Sequence, residues 1–408
     1  PSRRMPISSR GMLSIILVAL CCAVVIAFRS SPVQKITHGT SHATSLRPLF
    51  SAVEQFLAQK AAMERDLREE RAKTEFKTEL NRFMSGQGGD SKLADEQFWN
   101  QFARGGLQVS SPQKFSHQSI VDPSLAAELQ QQKTLLENRG FCKVTGLDWE
   151  RLGVNLKGIE ETMQNLKDNG WPPVFIFMFD EVWKYLDGVY DILRPLIGDD
   201  EAVLEHSIFA WALDKPPRPD EIDRREKVGG NFGMPHRDLP FDECHDPATG
   251  QSTVLSIWCP ITDAALDNGC MMAIPREHDV HFENYQDKER HLSPFKYDFN
   301  FAATTPLPAP AGSVLVWHPN IIHWGSACSA YAAGPARKSI AGAFRLPERR
   351  LPTSEKERRL YGRGPVTREE LRAGLGVDTK LRCIAYALMM YSVWFPEFEG
   401  FDAQKLRS

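Results

Sequence analysis

One stretch constrains the chain more than any other: Gly229-Gly230-Asn231-Phe232-Gly233-Met234-Pro235-His236-Arg237-Asp238. On an extended segment the imidazole of His236 and the carboxylate of Asp238 project to the same side, because strand side chains repeat every two residues. They supply two of the three protein ligands of a 2-His-1-carboxylate site, which leaves open positions on ferrous iron. The third must come from a distant strand. His323, in Trp317-His318-Pro319-Asn320-Ile321-Ile322-His323-Trp324-Gly325-Ser326, is the candidate, 85 positions after Asp238. That span is enough for a jelly roll to bring two strands together. His318 is the rival ligand, ranked lower because Trp317-His318-Pro319 reads as the end of a strand.

The surroundings of His323 add to the pattern. Gly312-Ser313-Val314-Leu315-Val316-Trp317 is a turn followed by an apolar strand, and the next segment delivers His323 into Gly-Ser. Beyond it, Arg337 and Ser339 face one way if residues 337–339 are a strand. A planar guanidinium with a hydroxyl beside it suits a carboxylate, by bidentate and single hydrogen bonds, which is what the distal carboxylate of 2-oxoglutarate requires. Lys338 and Arg345 are alternative partners for that carboxylate. His206, His245, His278, His281 and His291 read as surface or structural histidines. His245 with Asp242 and Glu243 forms a polar loop beside the site that suggests a lid. Trp211 and Trp258 fit strand cores, with pocket lining the second reading for Trp258. His236-Arg237-Asp238-Leu239 also spells the start of a kinase catalytic loop, but Glu243 stands where that loop needs Asn, and no Gly-rich loop with its Lys precedes it.

Four pieces, in order, resemble the phytanoyl-CoA dioxygenase family of iron(II)- and 2-oxoglutarate-dependent oxygenases. They are Met234 to Asp238, the Asp-Asn-Gly turn and strand of Leu266 to His278, Gly312 to Ser326, and Arg337. The resemblance covers roughly residues 122–348. It implies a mainly β fold, a double-stranded β-helix (jelly roll, cupin-like) flanked by α-helices. It implies Fe(II) held by His236, Asp238 and His323, with 2-oxoglutarate anchored by Arg337, and O2 as the other cosubstrate. Ser339 is a helper by geometry. The expected reaction hydroxylates a small molecule and releases succinate and CO2. Related halogenases have a small residue in place of the carboxylate, so Asp238 favours hydroxylation. Ala330-Tyr331-Ala332-Ala333-Gly334 reads as an insertion relative to the family, which bears on the register of Arg337. Alternatives are a cupin-type metalloenzyme that does not use 2-oxoglutarate, and a non-catalytic, membrane-tethered binding protein that keeps the fold.

The rest of the chain divides by composition. With 408 residues, 42% of them hydrophobic, it can bury one large domain plus appendages. Its 49 basic and 52 acidic residues nearly balance, which gives no reason to expect nucleic-acid binding. Eight cysteines without a C-x-x-C pair argue against a structural zinc site or disulfide framework. Residues 1–51 read as a targeting segment. Arg3, Arg4 and Arg10 precede an uncharged apolar run, Gly11 to Phe28, with the layout of a secretory signal or membrane anchor. Arg29 to Val53 then lacks Asp and Glu, as organellar transit peptides do. This two-part layout resembles presequences for plastids of secondary endosymbiotic origin, with an anchored ER or Golgi protein as the alternative. Residues 52–90 are a charged amphipathic helix and a Gly-rich linker. Residues 91–348 are expected to form the oxygenase domain and 349–408 a C-terminal helical extension that opens with Arg349, Arg350, Lys356, Arg358 and Arg359.

Local signals fill in the domain. Asp122-Pro123-Ser124 caps a helix to Asn138, and Gly140 to Val144 is a first strand. Val174 to Phe179 reads as a buried strand or the opening of the next helix, Asp180 to Leu196. Leu204 to Leu213, Ser252 to Cys259, Cys270 to Ile274, Ser313 to Trp317 and Lys338 to Arg345 are strands. Thr367-Arg368-Glu369-Glu370 caps a helix to Ala373, and Leu381 to Trp394 is a final helix.

Overall fold

A computed structural model of the chain describes residues 92–197, 202–216, 234–246, 248–294, 296–297, 299–346 and 365–391, with Thr74 and Thr78. The targeting segment, the amphipathic helix apart from those two threonines, the linker, Gly229 to Gly233 and the basic run Arg349 to Arg359 lie outside the described residues. So does the final helix beyond Tyr391.

Nine strands are described: β1 (Phe141–Val144), β2 (Val203–Leu204), β3 (Phe209–Ala212), β4 (Val254–Pro260), β5 (Met271–Ala273), β6 (Thr305–Leu307), β7 (Val314–Trp317), β8 (His323–Gly325) and β9 (Lys338–Arg345). They form two sheets. The larger has the order β1-β7-β4-β9-β2, with β3 also paired to β9, and the smaller runs β6-β5-β8. Every pairing among these strands is antiparallel, from Phe141 opposite Trp317 to Ala273 opposite His323. The long helices are α1 (Ala126–Arg139), α2 (Leu156–Asp168), α3 (Asp180–Ile197) and α4 (Val377–Met390).

The strands of the larger sheet are apolar on both faces, as a sheet covered on both sides must be. On one face Val144, Leu255, Ile257, Val314, Val316, Ile340 and Phe344 share an apolar cluster with α2, α3 and α4, through Ile159, Leu186 and Ile384. On the other, Phe141, Trp258, Leu315 and Trp317 meet Met271 and Ala273 of the smaller sheet in a second cluster. The residue two places on in each strand returns to the same face, so Ser256 and Trp258 of β4, and Ser339 and Ala341 of β9, look into the space between the sheets.

Helix ends follow the sequence signals. Asp122 accepts a hydrogen bond from Ser124 N at 2.9 Å and leads through a short 3-10 turn into α1, and Thr367 with Glu370 forms a complete capping box on the helix Arg368–Ala373. That helix is tied to α3 by a buried charged knot. Asp187, fully buried, accepts from Arg368 and Arg372, each at 3.0 Å, and from His117, while Asp191 accepts from Arg368 at 3.0 Å and His117 at 3.1 Å.

Three expectations need correction. Of the two readings of Val174 to Phe179, the strand fails and the approach to the next helix holds in part: Pro173–Met178 is a 3-10 helix leading into α3. All its residues from Val174 on are buried, so the run has no polar face to show a period, and Pro172-Pro173 was the signal against pairing. Leu204 to Leu213 is two short strands, broken at residues 205–208, with Glu205 N still donating to Ala343 O at 2.8 Å. The last helix starts at Val377, four residues early, because Lys380 is buried by pairing with Asp180 of α3.

Two buried imidazoles make stability pH-dependent. His318 donates from Nε2 to Leu136 O at 3.2 Å, leaving a buried Nδ1 without a partner, so it is held neutral. Burial first, then the neighbouring His245 and Arg276, pull its pKa to about 3; burial and Arg276 pull His245 to about 4. Both are ordinary histidines at 6.5 once unfolded. The unfolded chain therefore takes up protons first. Thermal melts should show this contribution intact above pH 6.5 and lost progressively as the pH falls towards 4, with a shallower loss in His245→Phe.

Candidate metal centre

His323 opens β8 on the side facing the larger sheet, and His236 meets it in an isolated two-bond bridge. His236 N donates to His323 O at 3.1 Å and His323 N to His236 O at 3.0 Å. The segment does not continue as a strand. Asp238 sits in a bend, where its N–H donates to Pro319 O at 2.7 Å. The extended geometry expected for residues 236–238 thus holds only at His236, yet the carboxylate still arrives beside both rings.

Side-chain hydrogen bonds orient all three groups. A carbonyl can only accept, so His236 Nδ1, 2.7 Å from Met234 O, and His323 Nδ1, 3.1 Å from Ile321 O, must be the donors. Both Nε2 atoms then carry lone pairs, and both lie 3.6 Å from Asp238 Oδ1. The other oxygen, Oδ2, accepts from Ser256 Oγ at 2.8 Å and from Trp317 Nε1 at 3.4 Å. One ligand atom from each residue lies within 4.8 Å of the others. Two neutral imidazoles and one carboxylate, oriented from behind, fit a divalent transition metal, and 2-His-1-carboxylate is the set that leaves positions open for substrates.

Electrostatics favour that state at His323 and Asp238, while at His236 the nearby carboxylate favours the protonated ring until a cation takes the proton's place. Burial, only partly offset by Asp238, lowers His323 to about 4, so it is neutral near pH 7. For Asp238 burial acts upward, but His323, His236 and the Ser256 hydrogen bond outweigh it and hold the carboxyl well below its ordinary range. His236 is raised: burial opposes this, and the Asp238 hydrogen bond and charge overcome it. The site opens on one side only, with His236 and Asp238 side chains 40% and 35% exposed against 6% for His323.

Arg337 lies just before β9, one inward position along β8 from His323. It is packed so closely on Gly325 that a Cβ there would sit 2.7 Å from Nη2. Its guanidinium is 5.4 Å from the Trp258 ring, Nη1 is 3.3 Å from Met271 Sδ, and Nε is buried without a hydrogen-bond partner. Burial lowers it to about 10, which still leaves it charged at neutral pH. Among the described residues no carboxylate pairs with it. Ser339 Oγ and Trp258 Nε1 are also buried without partners, so three polar atoms on this inner face are orphaned together. The two alternatives are engaged elsewhere: Lys338 Nζ faces Glu160 at 3.6 Å on the helix side, and Arg345 Nε donates to Glu205 at 2.7 Å.

The insertion after His323 does not loosen this register. Asn268 Nδ2 donates to Asp263 O at 2.8 Å and Pro335 O at 3.1 Å, and Asn268 O accepts from Arg337 N at 3.2 Å. Asp267 accepts from Ser329 N at 2.7 Å and Ala333 N at 3.1 Å. The Asp-Asn-Gly turn therefore clamps both ends of the loop.

His318 is not a ligand, being turned to Leu136 O. His245 is not part of a lid. It is 4% exposed, stacked on Phe241 at 4.3 Å, because the short helix Phe241–Cys244 carries it inward. His206 and His291 are buried, and neither joins the metal cluster. Sequence reading missed Ser256, which carries no signal beyond its even spacing from Trp258.

The two antiparallel sheets with flanking helices are consistent with a cupin-like fold, and they bring together a candidate 2-His-1-carboxylate set. Residues 193–330 match the family model of phytanoyl-CoA dioxygenase (PhyH), and this PhyH segment contains His236, Asp238 and His323 and ends before Arg337. Solved structures similar to the chain include the non-heme alpha-ketoglutarate-dependent epimerase SnoN from nogalamycin biosynthesis (17% identity, 55% of this chain and 82% of that chain, TM-score 0.38). They also include the carbocyclase SnoK of the same biosynthesis (16%, 53% and 83%, TM-score 0.37). A third is HygX from Streptomyces hygroscopicus with nickel and 2-oxoglutarate bound (12%, 53% and 86%, TM-score 0.35). No curated protein matches the sequence.

Ser256→Ala removes a donor from the back of Asp238 without touching a ligand. Titration with Co(II) should show affinity reduced by about 10-fold or more, in the range of losses seen for groups that orient ligands, with the metal-free protein still folded. Unchanged affinity would show that Ser256 does not hold the carboxylate.

Proposed function

We propose that the chain is an Fe(II)- and 2-oxoglutarate-dependent oxygenase that hydroxylates a small molecule. The observation that carries this reading is the orphaned Arg337 guanidinium beside the His236, Asp238, His323 cluster. A buried cation without a counter-ion costs several kcal/mol, and here its free Nε lies on the same inner face as Ser339 and Trp258. His323 and Gly325 are successive inward positions on β8, roughly 6.6 Å apart at the usual strand rise. A five-carbon dicarboxylate spans that separation, with its keto-acid end at the metal and its distal carboxylate at Arg337.

In this reading His236, Asp238 and His323 hold the metal, and Ser256 and Trp317 fix which carboxylate oxygen faces it. Bound Fe(II) with 2-oxoglutarate supplies oxidation by O2, giving a hydroxylated product, succinate and CO2. Arg337 orients the cosubstrate, with Ser339 Oγ and Trp258 Nε1 as further donors. Trp317, whose ring lies tilted at 4.7 Å from that of His323, keeps water from the back of the site. Asp238, occupying the carboxylate position, favours hydroxyl over halide transfer. We read the two facing sheets as the halves of a double-stranded β-helix, within an oxygenase domain of residues 91–348. From the sequence alone we also propose entry into the secretory pathway through residues 11–28, by cleavage or anchoring, and onward passage to a plastid. Among the described residues no helix is long and apolar enough to cross a membrane.

Purified protein with Fe(II), ascorbate and air should convert 2-oxoglutarate to succinate. Gly325→Ala, which displaces the guanidinium, should raise the 2-oxoglutarate KM by about tenfold or more, a loss of ~1.4 kcal/mol, while Co(II) affinity is kept. O2 consumption that needs no 2-oxoglutarate would favour a different cupin-type enzyme. A folded protein that binds no metal would favour a binding protein.

A further inference from the structure

The residue between two of the candidate ligands has its own site. Arg237 alternates away from His236 and Asp238 into the protein, where its side chain is 1% exposed. Its guanidinium makes four hydrogen bonds. Nη1 and Nη2 donate to the two oxygens of Asp279 at 2.6 and 3.0 Å, Nη1 also to Asn320 O at 2.5 Å, and Nε to His291 O at 2.7 Å.

These partners lie on different segments. Asn320 stands between Pro319, whose carbonyl accepts from Asp238 N, and His323; its own Nδ2 donates to Phe282 O at 3.0 Å. His291 accepts at Nε2 from Phe241 N at 3.1 Å and donates from Nδ1 to His281 O at 2.8 Å. One side chain therefore joins the His236-Asp238 segment, the Pro319–His323 segment and the loop from Asp279 to His291. That connection matters because the ladder does not supply it. His236 and His323 share only an isolated bridge, and Asp238 lies in a bend. A ligand-bearing segment without strand neighbours on this stretch needs another anchor to hold donor atoms to within tenths of an ångström.

We infer that Arg237 is a positioning residue for the metal centre: its fork onto Asp279 and the Asn320 and His291 carbonyls fixes His236 and Asp238 relative to His323. The inference rests on the metal-centre reading. Lysine cannot reproduce the fork, being a single point of charge, so Arg237→Lys keeps the charge opposite Asp279 and loses the geometry. Asp279→Asn removes the other half of the pair.

The test is anaerobic Co(II) titration of the full chain, followed by its visible d–d absorption, alongside melting of the metal-free protein. Wild type should bind with a defined d–d spectrum. Arg237→Lys and Asp279→Asn should each bind about tenfold more weakly or worse, the range for groups that orient ligands, with altered d–d intensity even where the metal-free melting temperature stays within a few degrees of wild type. A folded Arg237→Lys protein with wild-type affinity and spectrum would overturn the inference and leave the metal centre standing. Wild-type protein that binds no Co(II) would overturn both. If Arg237→Lys does not fold, Asp279→Asn decides the matter on the same readouts.

Discussion

Two backbone hydrogen bonds, exchanged between His236 and His323, are what the site depends on. They bring residues 87 positions apart in the chain into register, so that two imidazoles face one carboxylate oxygen. Everything around the centre preserves that register. Pro319 O takes the Asp238 N–H, the carbonyls two residues before each histidine set the tautomers, and Ser256 and Trp317 take the carboxylate oxygen that the histidines do not face. None of these contacts is strong alone, since a net hydrogen bond contributes about 1 kcal/mol. Their effect is to leave each ligand group one orientation.

The second half of the site depends on shape as much as charge. Arg337 can lie flat against β8 only because position 325 is glycine, and its backbone is pinned by Asn268 from the turn before β5. Gly269 in that turn has φ +109°, and a Cβ there would sit 3.1 Å from Ser326 O and 3.4 Å from Arg337 Nε. Two glycines and one asparagine thus determine where the buried cation points. The loop from 330 to 334 is itself tied to Asp267 through Ala333 N, and Arg337 stays in place.

Much of this was legible in the sequence, for physical reasons. β9 was read at its observed ends because turn residues bracket an apolar run. The three candidate ligands stand out because few patterns place His and Asp two apart before a distant His beyond an apolar strand, and the fold brings them together. The capping box at Thr367 is a local signal and was read locally. Other features depend on tertiary contacts that no local pattern records. Pro173–Met178 is apolar on every side, so its period is hidden. The last helix begins in polar residues because Lys380 finds Asp180 200 positions away. Arg237 carries no local signal of its own role, and only the fold shows it bonded to Asp279, Asn320 and His291. His245 looked polar and exposed, and is buried against Phe241 and His318.

The central claim is that the His236, Asp238, His323 cluster and Arg337 form one site for a metal and a dicarboxylate. Anaerobic Fe(II) titration with and without 2-oxoglutarate, recorded by visible absorption, tests it most directly. A charge-transfer band that requires both additions, and that weakens in Asp238→Ala and in Arg337→Ala, is the result expected. A folded wild-type protein that gives no such band would contradict it.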